Sequence, residues 1–142
     1  MVRKFKTQDI DEVMEIWLDT NIKAHDFIDK NYWKEHYEEV KYAILNTKVY
    51  VYEKDNKILG FIGIIDGYIA GIFVKDGMQG NGIGKILIDT CKKDSNELTL
   101  NVYEQNEKAF KFYLREGFYI VSKNIDNDTK ENELCMEWKK KR

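Results

Sequence analysis

Three glycines at alternate positions form the segment of this sequence whose chemistry is easiest to read. Residues 80–84 read GNGIG, and they follow Tyr68–Val74, an apolar run rich in β-branched and aromatic side chains. Glycines let the backbone turn tightly and let a ligand approach bare N–H groups. Apolar residues at helical spacing come next, and the first N–H groups of a helix have no internal partner. The pattern predicts a strand, a glycine loop and a helix that bind an anion such as phosphate.

The same glycines are compatible with other structures. Tight packing alone also places glycines between a strand and a helix. A P-loop needs Ser or Thr after Gly-Lys, and Ile86 stands there instead. A Rossmann fingerprint that starts at Gly80 needs a further glycine at position 85, which is Lys85. Neither nucleotide motif is therefore present.

The glycine loop resembles the acetyl-CoA motif of the GNAT N-acetyltransferase superfamily, Q/R-x-x-G-x-G/A. Gln79, Gly82 and Gly84 stand at its defined positions. A second stretch, residues 106–118, reads NEKAFKFYLREGF and is similar to that superfamily's N-x-x-A-x-x-F-Y-x-x-x-G-F signature at every position. Both motifs occur in the expected order, about twenty residues apart. The chain is therefore identified as resembling this superfamily over its whole length.

The resemblance implies that acetyl-CoA is the cofactor and that these two motifs hold it. The central strand would hold the pantetheine arm, and an N–H group near Ile72 would face the thioester carbonyl as an oxyanion donor. Backbone N–H groups of the loop would take the pyrophosphate, and Asn106 would contact the cofactor from the far side. The residues implied to bind it are Ile72, Phe73, Val74, Gln79, Gly80, Asn81, Gly82, Ile83, Gly84, Lys85, Asn106 and Tyr113.

Acetyl transfer from a thioester to an amine makes three demands on such a site. The acyl group must be held beside the amine, the amine must lose its proton, and the leaving thiolate must be protonated or stabilised. A phenol with a pKa of about 10 stays protonated beside a thiol with a pKa of about 8.5. Tyr113 would therefore meet the last demand, and in the family this tyrosine is the general acid. Alternatively, Tyr113 is a core residue that packs against Phe110 and Phe112.

The base that takes the amine proton is where this sequence departs from many relatives. They carry Glu or Asp near the start of the central strand, whereas this strand starts with Tyr68, Ile69 and Ala70. Asp66 precedes the strand, at a turn position where Asp is common for conformational reasons. A base acting through water, or activation of the amine by desolvation alone, are the alternatives to Asp66.

The acceptor side is expected to come from the first two helices and the loop between them. The sequence HDFI at residues 25–28, with YW shortly after it, resembles the pattern of a small bacterial branch, the YjaB/YiaC-like acetyltransferases. The substrate-binding candidates are His25, which would relay a proton or bind substrate, Phe27 beside it, and Trp33 and Tyr68 as walls of an amine channel. Alternatively, these aromatic residues belong to the core.

The elements that must position these residues follow from apolar periodicity. The prediction places a strand at residues 2–6, a helix from residue 10 to Thr20-Asn21, an irregular segment to residue 31 and a helix at residues 32–46. Strands follow at residues 48–54, 58–65 and 68–74, then the glycine helix, a strand at residues 97–102, a helix capped by Gly117, and a hairpin of residues 119–123 and 133–138. The order β-α-α-β-β-β-α-β-α-β-β describes a mixed α/β sandwich, and it is the order of the GNAT fold. One domain is expected over residues 1–142.

Composition and charge exclude several other classes of protein. The net charge of −2 leaves no general nucleic-acid footprint, and no run of apolar residues is long enough to cross a membrane. Two cysteines and two histidines form no metal pattern, so no metal site is expected. Reduced thiols and the lack of a signal-peptide core predict a cytoplasmic protein. The basic residues 139–142 are expected to be a solvated end.

These features together predict an acetyl-CoA-dependent N-acetyltransferase. The acceptor would be a primary amine on a protein lysine, an N-terminus or a small molecule, and the branch resemblance favours the lysine. Direct attack in a ternary complex is expected, because no cysteine lies in either motif to carry an acyl group. The alternative is a catalytically idle CoA-binding or sensor module, which the missing carboxylate favours and Tyr113 opposes. The protein would be a monomer or a homodimer, with no nucleic-acid or membrane partner.

Overall fold

A computed structural model describes residues 1–141 as one seven-stranded sheet with helices on both faces. The strands are β1 (Val2–Lys4), β2 (Lys48–Lys54), β3 (Lys57–Ile65), β4 (Tyr68–Val74), β5 (Glu97–Tyr103), β6 (Tyr119–Ile125) and β7 (Asn132–Lys139). The helices are α1 (Ile10–Ala24), α2 (Lys30–Glu35), α3 (Tyr37–Leu45), α4 (Ile83–Lys93) and α5 (Glu107–Arg115). Across the sheet the order is β1-β2-β3-β4-β5-β7-β6. Neighbouring strands are antiparallel except for β4 and β5, which are parallel.

Each face of the sheet buries its own apolar core. Alternate residues of a strand point to opposite faces. Ile62 of β3 therefore packs in a cluster with Leu87 of α4, whereas Phe61 packs in a second cluster with Met14 of α1. Ile62, Leu87 and Met14 are fully buried, and each contributes about 1.5–3 kcal/mol by leaving water. The central strands are thus fixed from both sides.

Strand β1 ends at Lys4, two residues before its predicted end. A short 3-10 turn, Thr7–Asp9, begins there because the Lys6 N–H donates to the Asp9 carboxylate at 2.8 Å. The Arg3 guanidinium binds the same carboxylate at 2.8 Å. An ion pair and a backbone hydrogen bond therefore turn the chain from the edge strand into α1.

Helix α1 continues to Ala24, beyond the predicted end at Thr20-Asn21. The Thr20 hydroxyl donates to the Ile16 carbonyl at 2.6 Å, and the Asn21 side-chain nitrogen donates to the Trp17 carbonyl at 2.9 Å. Both polar side chains bond back into the preceding turn of the helix, and both are buried. Residues that favour helix ends when exposed are thereby accommodated inside this helix.

The predicted second helix is divided into α2 and α3 at His36. This residue has φ −92° and ψ 1° and turns the chain. Trp33 before the turn and Tyr37 after it both pack edge-on against Trp17, with ring centroids 6.0 and 6.4 Å apart. The apolar spacing from Trp33 to Ile44 runs unchanged across the turn, so periodicity alone did not reveal it.

The remaining predicted elements are confirmed, with ends that shift by one or two residues. Helix α5 ends at Arg115, and Gly117 follows it with φ +92°, as expected for a glycine at a helix end. The mixed α/β class is confirmed, with one helix more than predicted. Arg142, part of the basic end, lies outside the described residues. Within residues 1–141, no helix combines the length and apolar character needed to cross a bilayer.

Candidate active site

Strands β4 and β5 separate shortly after they begin to pair. Tyr68 and Ile69 are the β4 residues that pair with β5. On its other side β4 carries a bulge at Ala70, where its register with β3 shifts by one residue. Bulges bend a strand and often lie beside active sites. Within residues 1–141, the β5-facing edge of residues 71–74 therefore has no partner strand and leaves backbone groups for a ligand.

The glycine loop lies between β4 and α4 and leaves open space above its backbone. Gly80 and Gly82 have φ of +85° and +79°, a conformation that side chains disfavour. A Cβ atom built on either glycine would meet no atom within 4 Å. Gly82 is the N-cap of α4, and its carbonyl accepts from the Ile86 N–H at 3.1 Å. The N–H groups of residues 83–85 consequently have no helical acceptor and point to an anion site.

Side chains connect this loop to its surroundings. The Gln79 amide nitrogen donates to the Val74 carbonyl at 3.2 Å, and its oxygen accepts from the Lys108 ammonium at 3.3 Å. The Lys85 ammonium lies 3.3 Å from the Glu116 carboxylate. The Lys85 side chain is therefore engaged by Glu116, and its backbone N–H is the group that remains for a ligand in the loop. Gln79 joins the end of β4 to α5, at the opening of the gap that forms where β4 and β5 separate.

Tyr113 lies on α5 and packs in the same cluster as Ile69 and Leu100, where β4 and β5 make their last pair. The side chain is 7% exposed, and its ring lies edge-on against Phe112 at 5.4 Å and Phe118 at 5.8 Å. Burial, and then the Tyr68 phenol, raise the Tyr113 pKa, so its hydroxyl keeps its proton. Among residues 1–141 the hydroxyl has no hydrogen-bond partner. Tyr113 is thus both a core residue and an available proton donor.

The sheet face opposite α5 carries a carboxylate on β7, on the same face as the Tyr68 side chain. The Asn101 side-chain nitrogen donates to the Tyr68 hydroxyl at 3.2 Å. On β7, Cys135 lies opposite Asn101, and Glu133 lies opposite Tyr103. Residues two apart on a strand share a face. Tyr68, Asn101 and Glu133 therefore share one face of the sheet, and the Glu133 charge acts on the Tyr68 phenol.

Glu133 is a functional candidate that the sequence analysis missed. Burial, and then the Asp126 charge, raise the pKa of its carboxyl group. Within the described residues it has no salt bridge. Burial raises the pKa of Tyr68, and the Glu133 charge adds to that increase. A partly buried carboxylate without a cation near a cleft is a candidate site residue. The available signal was the alternation along β7, which places Glu133 and Glu137 on the same face as Cys135.

His25 lies in a cluster of aromatic rings between α1 and α2. Its ring stacks on Trp33 at 5.2 Å and meets the edges of Phe27 at 5.7 Å and Tyr103 at 5.1 Å. Burial lowers the pKa of His25 to about 4, with the Asn21 carbonyl opposing the shift, so the ring is neutral near pH 7. Trp33 is 7% exposed and belongs to the core around α1. Its position favours the core role that was the alternative to a channel wall.

Asn106 has both ends of its side-chain amide bonded to protein groups. Its oxygen accepts from the Ala109 N–H at 3.3 Å and caps α5. Its nitrogen lies 3.2 Å from His25 Nε2. A contact between Asn106 and the cofactor stays a prediction. The two bonds already engage the side-chain oxygen and nitrogen, so fewer hydrogen-bonding groups remain for a ligand.

Asp66, the candidate base that precedes the central strand, has the geometry of a turn residue. Its φ is +48°, and Gly67 follows with +82° in the connection between β3 and β4. Asp is among the side chains that tolerate this left-handed conformation. The turn accounts for Asp66 without a role in proton transfer.

Comparison with known proteins decides the family. Residues 12–136 match the family model of the acetyltransferase (GNAT) domain. The chain belongs to the GNAT acetyltransferase family. It is 34% identical over 140 residues to the peptidyl-lysine N-acetyltransferase YiaC of Escherichia coli strain K12, covering 97% of this chain and 96% of YiaC. The peptidyl-lysine N-acetyltransferase YjaB of the same strain is 27% identical over 129 residues, covering 89% and 87%.

Solved GNAT structures share the fold. Apo-form YjaB from Escherichia coli has a TM-score of 0.87 at 24% identity, covering 97% of this chain and 96% of YjaB. An aminoglycoside 6'-N-acetyltransferase complexed with coenzyme A has a TM-score of 0.78 at 12% identity, covering 100% and 98%. The predicted GNAT fold, the N-acetyltransferase class, acetyl-CoA as cofactor and the similarity to the YiaC and YjaB branch are therefore confirmed.

Proposed function

We propose that this chain, as a single catalytic domain, acetylates the side-chain amine of lysine residues in other proteins. The observation that carries the proposal is Tyr113, a buried phenol with a raised pKa beside the gap between β4 and β5. The names of YiaC and YjaB support lysine over other amines. Cys91 and Cys135 are free thiols, which supports the cytoplasm as the location.

The cofactor would be held by backbone rather than by charged side chains. The N–H groups of residues 83–85 would bind the pyrophosphate, where Gly80 and Gly82 leave open space. The unpaired edge of Ile72–Val74 would hold the pantetheine arm, with an N–H near Ile72 directed at the acyl oxygen. When bound, acetyl-CoA supplies an acetyl thioester. The contribution of the protein is to hold that group beside the acceptor amine.

Two side chains would move the protons. Glu133 would bind the lysine ammonium on the sheet face that carries Tyr68 and Asn101, and it would take the first proton, which then passes to water. Attack of the neutral amine on the acyl carbon would form a C–N bond and break the C–S bond. Tyr113 gives its proton to the sulfur and recovers one from the new amide nitrogen. One acetyl group moves and one proton is released, so the step is balanced.

The test is a turnover assay with acetyl-CoA and matched acceptors. One peptide would carry a free lysine side chain and a blocked N-terminus. A second would carry a free N-terminus and no lysine, and a third sample would hold a small polyamine. Thiol release and mass spectrometry of the peptides are the measurements. We expect acetylation of the lysine peptide and much slower reaction of the other two.

Two outcomes would contradict the proposal. Turnover confined to the free N-terminus or to the polyamine would assign a different acceptor. Binding of acetyl-CoA without turnover on any amine would favour the idle CoA-binding module.

A further inference from the structure

The hydrogen bond between His25 and Asn106 fixes the tautomer of the histidine. The Asn106 side-chain oxygen already accepts from the Ala109 N–H, so the amide nitrogen is the end that faces His25 Nε2. An amide nitrogen only donates, and Nε2 must therefore accept. The proton of the neutral ring then lies on Nδ1, a buried atom that makes no well-formed hydrogen bond to the described residues, although the Asn21 carbonyl lies close enough to favour a proton on the ring.

The surroundings of His25 keep it neutral and in place. Rings of Phe27, Trp33 and Tyr103 contact it on three sides. Asp126 accepts a hydrogen bond from the hydroxyl of Tyr103, one of these rings, at 2.7 Å. A protonated His25 would present two donors and would lose its bond to Asn106. The imidazole thus acts as a fixed acceptor.

Asn106 also determines where α5 begins. The helix has nine residues, and Asn106 is its N-cap. Tyr113 lies about two turns farther along, roughly 10 Å at 1.5 Å per residue. A short helix released at its first turn would carry the Tyr113 hydroxyl away from the gap. Misplacement by about 1 Å costs on the order of a hundredfold in rate in comparable sites.

We propose that His25 is a positioning residue that, through Asn106, fixes the first turn of α5 and thereby the hydroxyl of Tyr113. It joins the acceptor-side segment between α1 and α2 to the helix that carries the proton donor, across 81 positions of sequence. Its ring neither relays a proton nor binds the amine. This inference rests on the role proposed above for Tyr113.

The first experiment reads the tautomer directly and needs no activity. Long-range ¹H–¹⁵N spectra of the wild type at pH 7 should show His25 protonated on Nδ1. Asn106→Ser keeps a side chain that caps α5 but has no amide nitrogen, and it should change the Nε2 signal of His25 and leave that of His36 unchanged. A wild-type His25 protonated on Nε2 would overturn the inference.

The second experiment separates positioning from packing and from proton relay. His25→Phe keeps a ring in the cluster and removes the acceptor, whereas the side-chain oxygen of His25→Gln can still accept from Asn106. We expect His25→Phe to lower kcat about tenfold or more, with the KM for acetyl-CoA changed less than threefold. His25→Gln should retain kcat within about threefold, and His36→Gln serves as the matched control.

Each contrary outcome identifies a different role. A lower melting temperature with unchanged kcat in His25→Phe would show that His25 contributes only to packing. Equal loss of kcat in both variants would indicate a proton relay, and a change confined to the KM of the acceptor would indicate substrate binding. If His25→Phe does not fold, Asn106→Ser takes its place and must lower kcat. Unchanged kcat in Tyr113→Phe would refute the proposed acid while the spectra still test the bond.

Discussion

Asn101 donates a hydrogen bond to the Tyr68 hydroxyl across 3.2 Å. This bond joins β4 to β5 beside the last residues at which the two strands pair. It fixes the Tyr68 phenol at the border of the gap, on the sheet face that carries Glu133. Tyr113 approaches from the helix on the opposite face. Acceptor and acetyl donor would therefore meet between side chains that reach the gap from different faces of the sheet.

Tyr113→Phe tests the proton donor. The variant loses one oxygen and keeps the ring that packs against Phe112 and Phe118. Because the hydroxyl has no partner in residues 1–141, stability and acetyl-CoA affinity should change little. We expect kcat to fall by about 10²- to 10⁴-fold, or roughly 3 to 5 kcal/mol of barrier.

The measurements are kcat, cofactor affinity and melting temperature of the same preparation. Tyr42→Phe removes an exposed hydroxyl and serves as the control. Unchanged kcat, with the chemical step shown to limit the rate, would refute the assignment of Tyr113.

Glu133→Gln tests the acceptor-side carboxylate, and we expect opposite effects on activity and stability. A carboxyl group whose pKa is raised in the folded state is less stable there as an anion, so it costs stability at neutral pH. The amide should therefore raise the melting temperature at pH 7, and this gain should vanish below the ordinary pKa of Glu. Activity on a lysine peptide should fall about tenfold or more.

Glu137→Gln is the matched control, since Glu137 lies on the same strand and face and pairs with Lys139 at 3.4 Å. Asp66→Asn should also leave kcat nearly unchanged, because its left-handed turn accounts for the residue. The pH dependence of turnover separates Glu133 from Asp66 as the base. If Glu133 is the base, the fall in kcat at low pH should disappear in Glu133→Gln. A hundredfold loss of kcat in Asp66→Asn would identify Asp66 as the base instead.

Gly82→Asn tests the pyrophosphate site without disturbing the fold. Gly82 has φ +79°, a left-handed conformation that Asn tolerates. In the comparison variant Gly82→Ala, the same conformation costs about 1–2 kcal/mol of stability. Either side chain adds a Cβ atom where the phosphate would lie. We expect both variants to weaken acetyl-CoA binding at least tenfold, or about 1.4 kcal/mol, while the melting temperature falls clearly for Ala alone.

Calorimetric titration and thermal unfolding give both quantities. Gly84→Ala should also weaken binding, but its Cβ would lie 3.3 Å from the Phe112 ring, so affinity and packing would change together. Unchanged affinity in folded Gly82→Asn would remove the pyrophosphate role of the loop.

His25 should also make stability depend on pH in a defined window. Its pKa is about 4 in the folded chain, against 6.5 for an exposed histidine. The unfolded chain therefore binds the extra proton first, and the free energy of unfolding should decrease as pH falls from about 6.5 to about 4. Urea unfolding of the wild type and of His25→Gln across this range should differ by this slope. Identical slopes would mean that His25 is protonated equally readily in both states.

The sequence predicted the structural elements that depend on residues close to one another in the chain. The bounds of β4, the glycine loop and Gly117 follow from local patterns of apolar residues and glycines, and the structure has them as expected. The turn at His36 was not predicted, because the spacing of apolar residues continues across it. The extension of α1 was missed because Thr20 and Asn21 bond back into the helix.

The contacts that shape the candidate site were beyond local patterns. Glu133 lies opposite Tyr103 of β5 because β7 inserts between β5 and β6, so the sheet order departs from the chain order. Asn106 was recognised from its motif, but its bond to His25 joins residues far apart in sequence. Pairing of this kind depends on topology, which periodicity does not encode.

The short pairing of β4 with β5 has a consequence for how the molecule responds to its cofactor. Two pairs of residues, Tyr68 with Thr99 and Ile69 with Leu100, join β1–β4 to the other three strands. The sheet thus consists of two half-sheets joined along a short line. A ligand lodged in the gap would bond to both halves and make them open together. Amide exchange in β4 and in β5 should therefore slow in parallel when acetyl-CoA is added, while exchange in β1 stays as it was.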